Sequence, residues 1–241
     1  MQRKKAAVLA LVNHTNLCIE YLKNFTDTIL ISYSGGKDSI AILDILSKHF
    51  KCVCFFLYIH PDLEYNKNQL EYPLKKYGIE VLKYPHRDLF QLYSSNEYRL
   101  WSEETDRIIN IELSDIYNKI RNDTGIQWVA NGMKQCDSMT RRAFIHQYYK
   151  EAINLKTKTF YPLSKWNQKQ VKQYIKINRL LSPVQLNQGK QSEGIGIDKK
   201  SILFLYENYP NDYKLLETKF PLIGALIERE RKQKQISEIH N

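Results

Sequence analysis

Two hydrophobic periods alternate along the first 130 residues. Short, nearly continuous apolar runs occur at Thr28–Tyr33, Lys51–Ile59, Ile79–Tyr84 and Gln127–Ala130. Each has the length of a strand, and between them apolar residues recur every three or four positions. That spacing predicts helices over residues 6–24, 40–46, 64–77 and 97–122, with Gly78 ending the third. Strands that are apolar at almost every position are buried on both faces, as in parallel sheets. Strands alternating with helices therefore predict an α/β fold: an open, mostly parallel sheet with helices on both faces. Beyond about residue 150 the strand signal fades to Thr159–Leu163 and helical spacing takes over. The expected organisation is an α/β core over residues 1–150 and a mostly helical region over 151–241 packed on it.

Length and composition narrow this picture. A chain of 241 residues with 43% apolar content can bury a proper core as one main domain. No apolar run approaches the roughly 20 residues of a membrane span. The start, Met1-Gln2-Arg3-Lys4-Lys5 before Ala6–Val12, resembles a secretion signal, but Asn13-His14 interrupts it and no small-residue cleavage site follows. A cytoplasmic protein with no membrane partner is expected. The four cysteines, Cys18, Cys52, Cys54 and Cys136, contain no C-x-x-C pair. No disulfide framework, zinc site or iron–sulfur cluster is therefore expected. Cys52 and Cys54 alternate within an apolar run and should share one face of a strand.

The candidate chemistry begins where the first apolar run ends. Ser34-Gly35-Gly36-Lys37-Asp38-Ser39 joins a strand to a helix. Glycines let backbone N–H groups converge on an anion, and the following helix adds unpaired N–H groups and the positive end of its dipole. Lys37 can neutralise a phosphate, and Ser34 and Ser39 can donate hydroxyl hydrogen bonds. A carboxylate beside phosphates needs an intervening cation, which makes Asp38 a candidate Mg²⁺ ligand. The bland alternative is a tight turn with Asp38 or Ser39 as N-cap. The Walker spacing G-x-x-x-x-G-K-S/T is absent.

This S-G-G-x-D-S turn resembles the PP-loop ATP pyrophosphatase (adenine nucleotide α-hydrolase) superfamily. Gly132-Met133-Lys134-Gln135-Cys136-Asp137-Ser138-Met139-Thr140-Arg141-Arg142 resembles the G-x-R-x-x-D/E-S-x-x-R element of its PAPS reductase-like branch. Pro162-Leu163-Ser164-Lys165-Trp166, with Val171 and Tyr174-Ile175, resembles the same branch's P-L-x-x-W element. The resemblance implies an ATP site at Ser34–Ser39, Gly132 and Arg142. It also implies catalytic roles for Lys37, Asp38, Ser39, Lys134 and Arg141, and cleavage of ATP between its α and β phosphates. Independently, Gly132 follows the fourth predicted strand, so it belongs at the carboxyl edge of the sheet where ligands bind. Trp166 reads as structural.

Three departures from the branch bear on the reaction. Ile59-His60-Pro61-Asp62-Leu63-Glu64-Tyr65 stands where the family carries an Asp-Thr-Gly, and Lys134 replaces an arginine. Residues 137–241 contain no cysteine, whereas PAPS reductases act through one near the C-terminus.

Charge supplies the hint about the acceptor. The formal net charge is +10. Residues 152–192 carry eight Lys/Arg and no Asp or Glu. On one helix Lys165, Lys169, Lys172, Lys176 and Arg179 would fall within about 80° of one another, a ridge suited to a phosphate backbone. A solvated lysine-rich face is the common alternative. Short, cysteine-poor chains of this branch resemble the ATP pyrophosphatases of DNA phosphorothioation systems. That resemblance implies ATP and Mg²⁺ as cofactors, DNA as acceptor and a cysteine desulfurase as sulfur donor. The alternatives are an adenylyltransferase acting on sulfate or flavin mononucleotide, a PAPS reductase-like enzyme, and a non-catalytic nucleotide-sensing module.

Overall fold

A computed structural model describes residues 2–95, 97–100, 111–182 and 196–239. They fall into two compact units. The first comprises the described residues of 1–57, 69–83 and 121–194. Its centre is a six-stranded sheet in the order β3-β2-β1-β4-β6-β5. The strands are β1 (Thr28–Ser32), β2 (Lys51–Tyr58), β3 (Val81–Pro85), β4 (Val129–Ala130), β5 (Ile153–Asn154) and β6 (Thr159–Phe160). β1 pairs in parallel with both β2 and β4, with Leu30 opposite Val53 on one side and Val129 on the other. β6 continues the parallel set, and only then does β5 turn back antiparallel. The mostly parallel α/β sheet expected from the continuous apolar runs is what the chain builds.

The helices of this unit are α1 (Gln2–Leu22), α2 (Lys37–Leu46), α3 (Lys67–Tyr77), α6 (Met139–His146) and α7 (Gln168–Ile177). Between α3 and α6 in chain order come α4 (Arg87–Ser94) and α5 (Leu113–Thr124). Nine of the ten residues of α2 are buried, so this helix is interior rather than amphipathic. Cys18, Ile19 and Leu22 of α1 are fully buried. Trp166 is also fully buried, and its indole N–H donates to Thr15 Oγ1 at 3.2 Å. Thr15 in turn donates to the Pro162 carbonyl, which ties α1 to the segment before α7.

The second unit comprises residues 58–68, 84–120 and 195–241. Its described C-terminal helices are α8 (Lys199–Asn208), α9 (Pro210–Lys219) and α10 (Gly224–Ile239). Ile202, Leu205, Leu216, Phe220 and Ile223 form its core. Asp212, 1% exposed, accepts the backbone N–H groups of Glu64 and Tyr65, so its buried charge caps a 3₁₀ turn.

Several local expectations shift. The helix expected over 97–122 is resolved as α5, and residues 101–110 lie outside the described set. α4 was not signalled, because its eight residues are too few to establish a period; the His86 ring caps it by accepting the Asp88 N–H. The two-residue β5 and its antiparallel direction are likewise too short to read from periodicity.

Candidate functional site

The order of the strands decides where a ligand fits. From β1 the chain goes to β2 on one side, and β4 later fills the other side. The crevice beyond the carboxyl ends of β1 and β4 is therefore a topological switch point, where open α/β sheets bind ligands. Two loops leave these ends: residues 33–36 after β1 and residues 131–138 after β4.

The first loop is shaped by glycine. Gly35 has φ +70°, and a Cβ there would stand 2.6 Å from the Gln69 Cβ. An L side chain is excluded twice over, by conformation and by space. Gly36 is the N-cap of α2 and has no side chain to receive the helix's first N–H groups. A helix start without a side-chain cap leaves its first N–H groups and the positive end of its dipole for other acceptors. Inside the loop, Ser39 Oγ donates to the Gly36 carbonyl at 2.9 Å and lies 3.4 Å from Ser34 Oγ.

The second loop meets the first through charge. Lys37 Nζ donates to Asp38 Oδ2 at 3.0 Å. Lys134 Nζ, on a residue 2% exposed, lies 3.0 Å from Asp38 Oδ1 and 3.3 Å from Asp137 Oδ1. Arg141 then reaches Asp137 Oδ2 at 3.0 Å. The result is an alternating chain, Lys37–Asp38–Lys134–Asp137–Arg141, that spans both loops. The Lys134–Asp38 contact is an ion pair outside hydrogen-bonding angles, so Asp38 Oδ1 is buried without accepting a hydrogen bond. Gly132 permits the approach: a Cβ there would come within 3.3 Å of the Asp38 Cβ. Burial pushes the Asp137 carboxyl up, but the ammonium and the backbone N–H of Lys134, together with Arg141, outweigh this and hold it below the usual range.

The structure thus gathers Ser34, Gly35, Gly36, Lys37, Asp38, Ser39, Gly132, Lys134 and Arg141. Arg142 is exposed and, among the described residues, in no ion pair. It lines a neighbouring cavity with Lys165. The basic ridge is shorter than the helical spacing implies. α7 carries Lys169, Lys172 and Lys176, all exposed, while Val171, Tyr174 and Ile175 are buried beneath them. Lys165 sits in the preceding turn, paired with Glu151 at 2.8 Å. Arg179 follows the helix in the left-handed region, at φ +52°. Asn167 and Gln170 form a reciprocal capping box that starts α7 after Lys165, which is why the ridge breaks there.

Asp137, which pairs with both Lys134 and Arg141, was not among the expected site residues. Its signal was its place three residues after Lys134 and four before Arg141, the reach of an ion pair across one turn. Cys136 is exposed at the same loop, and its thiol is pushed up by burial and by Asp137. Cys52 and Cys54 lie along β2 as expected, with Cys54 fully buried and the Cys52 thiol pushed up to about 12 by burial. Among the described residues no three His, Cys, Asp or Glu side chains converge as a metal site. No helix among them is long and apolar enough to cross a membrane.

A model of the phosphoadenosine phosphosulfate reductase domain matches residues 28–201, more than half of the chain. No curated protein matches the sequence. Among solved structures, a phosphoadenylyl-sulfate (PAPS) reductase from Candida auris, determined as a phosphate complex, superposes with a TM-score of 0.51 at 16% identity, covering 80% of this chain and 94% of that one. The U34-tRNA thiolase NcsA from Methanococcus maripaludis, determined with its 4Fe–4S cluster, superposes with a TM-score of 0.53 at 14% identity, covering 90% of this chain and 79% of that one. At these identities the likeness carries the fold alone.

Proposed function

Since the chain belongs to the phosphoadenosine phosphosulfate reductase domain family, we propose that it is an ATP pyrophosphatase that adenylylates an acceptor oxygen. The observation that carries this reading is the charge chain linking the turn before α2 to the loop after β4 at the switch point. In it, Ser34, Gly35, Gly36 and Ser39 cradle the β and γ phosphates, with Gly132 leaving room beside them. Lys37 neutralises the departing pyrophosphate, and Lys134 and Arg141 neutralise the α phosphate. Asp38 could offer Mg²⁺ its Oδ1, which accepts no hydrogen bond, once the Lys134 ammonium 3.0 Å away turns to the α phosphate. A triphosphate-bound Mg²⁺ asks for only one or two protein carboxylates. When bound, the ion would screen the pyrophosphate's charge.

The acceptor oxygen donates a lone pair to the α phosphorus, and the bond from that phosphorus to the α–β bridging oxygen breaks. Pyrophosphate leaves with the electron pair and the acceptor carries AMP. We take a DNA backbone phosphate oxygen as the acceptor. It is already ionised and brings no proton, so no general base is required. What supports a polyanionic acceptor is the +10 charge and the exposed Lys169, Lys172 and Lys176. A sulfur nucleophile from a cysteine desulfurase would then displace AMP. The raised Cys136 thiol favours this over a reductase built on that cysteine, because the thiolate is the nucleophile.

The test is pyrophosphate release from ATP and Mg²⁺, with and without duplex DNA. Release should be stimulated by DNA and abolished by Asp38→Asn and by Ser39→Ala. ATP binding without release under any condition would overturn the enzymatic reading in favour of a nucleotide sensor.

A further inference from the structure

Beside the charge chain, and outside it, lies a cavity of about 620 Å³. Its walls come from the loop after β4, the first turn of α6 and the segment before α7, with Ser138, Arg142, Ser164 and Lys165 among the lining residues. No residue of Ser34–Ser39 lines it. The volume falls within the range of small-molecule pockets, and it is several times what a bare phosphate needs.

Three features of the walls point to an anion. Ser164 is fully buried, yet its hydroxyl has no hydrogen-bond partner. Buried hydroxyls are nearly always satisfied, so an orphan in a cavity wall marks a missing partner. Arg142 presents a guanidinium that no carboxylate among the described residues claims, and this fork matches phosphate oxygens in pairs. The cavity also touches the start of α6, an eight-residue helix whose N-cap is Ser138. The positive end of that dipole favours negative charge. Lys165 also lines the cavity, but Glu151, itself in the wall, offsets its charge.

We propose that this cavity binds the phosphoryl oxyanion of a second substrate, held by Arg142 and Ser164 at the N-terminus of α6, while ATP occupies the turn before α2. The proposal rests on the ATP reading of that turn and supplies its acceptor site. It assigns Arg142 to the acceptor rather than to ATP. Two sources share this chemistry: a backbone phosphodiester and a free phosphate or small phosphate ester.

The experiment uses the full chain and two probes, inorganic phosphate and the dinucleotide dTpdT, titrated calorimetrically with and without α,β-methylene-ATP. At least one probe should bind alongside the ATP analogue. Arg142→Gln should weaken it at least 10-fold and Ser164→Ala several-fold, with analogue affinity held within about 2-fold. Preference for dTpdT assigns a backbone, and preference for phosphate assigns a small ester. Binding unchanged in Arg142→Gln, or strict competition between probe and analogue, overturns the proposal, as does an analogue that binds while neither probe does. Should the analogue itself not bind, the ATP reading fails separately, and the probe titrations without it still decide the cavity. Ser164→Ala removes an unpartnered hydroxyl, so a purely structural role predicts unchanged or higher melting temperature with no change in probe binding.

Discussion

Two carboxylates on one helix meet opposite fates. Asp38 opens α2 and Asp44 lies near its end, both on the same nearly buried segment. Asp44 accepts Tyr77 OH at 2.9 Å, Tyr174 OH at 2.7 Å and Lys48 Nζ at 2.8 Å. Burial pushes its carboxyl up, and these three donors overcome that and hold it below the usual range. Asp44 is therefore a knot joining α2, α3 and α7. Asp38 has two lysines near it, its neighbour Lys37 at the start of α2 and Lys134 from the loop after β4, and one oxygen with no hydrogen bond. A saturated carboxylate stabilises the fold, whereas an unsaturated one still has an acceptor to offer a ligand.

The sharpest way to break this comparison is to exchange the consequences. Asp38→Asn should lower pyrophosphate release by about 10²–10³-fold, as loss of a charge-stabilising group at a reacting centre does, while melting temperature stays within a few degrees. Asp44→Asn should do the reverse. Denaturant unfolding should show a loss of about 1–3 kcal/mol, from leaving the buried Tyr174 hydroxyl and the half-buried Tyr77 hydroxyl poorly matched, with ATP affinity per folded molecule unchanged. If Asp44→Asn abolished ATP binding in a folded chain, the division of roles would be wrong.

Smaller effects sharpen it further. Gly35→Ala should cost about 1–2 kcal/mol from its left-handed backbone alone, with more from the close approach to Gln69; urea titration with and without ATP would separate fold from site. Acid should act on the knot. Because the folded Asp44 carboxyl lies below its unfolded value, its contribution is complete above about pH 4 and lost as pH falls through the folded value. The gap in urea midpoint between native and Asp44→Asn at pH 7 should narrow progressively as the pH falls below about 4. The smallest change belongs to the surface: alanine at Lys169, Lys172 and Lys176 together should weaken DNA binding a few-fold and flatten its salt dependence by about three counterions, with melting temperature unmoved.

Much of the fold was legible in the chain. Strand runs and helical spacing are local signals, and β1 to β4 fall where the apolar runs do. The turn at Ser34–Ser39 was legible for the same reason, since a left-handed glycine and a bare N-cap are properties of adjacent residues. The pairing of Tyr174 with Asp44 was not, because 130 residues separate them. The ridge was only partly legible: spacing located Lys169, Lys172 and Lys176, but the capping box at Asn167 removed Lys165 from the helix.

By itself the sequence determined where β1 to β4 lie, where the glycine turn between β1 and α2 falls and which residues carry charge, because glycine geometry and side-chain period act over a few neighbours. Only the tertiary structure decided that β4 lies beside β1, which brings Lys134 onto Asp38. Strand order is set by how whole helices and strands pack, and no local pattern records it. The ion pairs that depend on it, and the cavity beside them, exist only once the sheet has closed in that order.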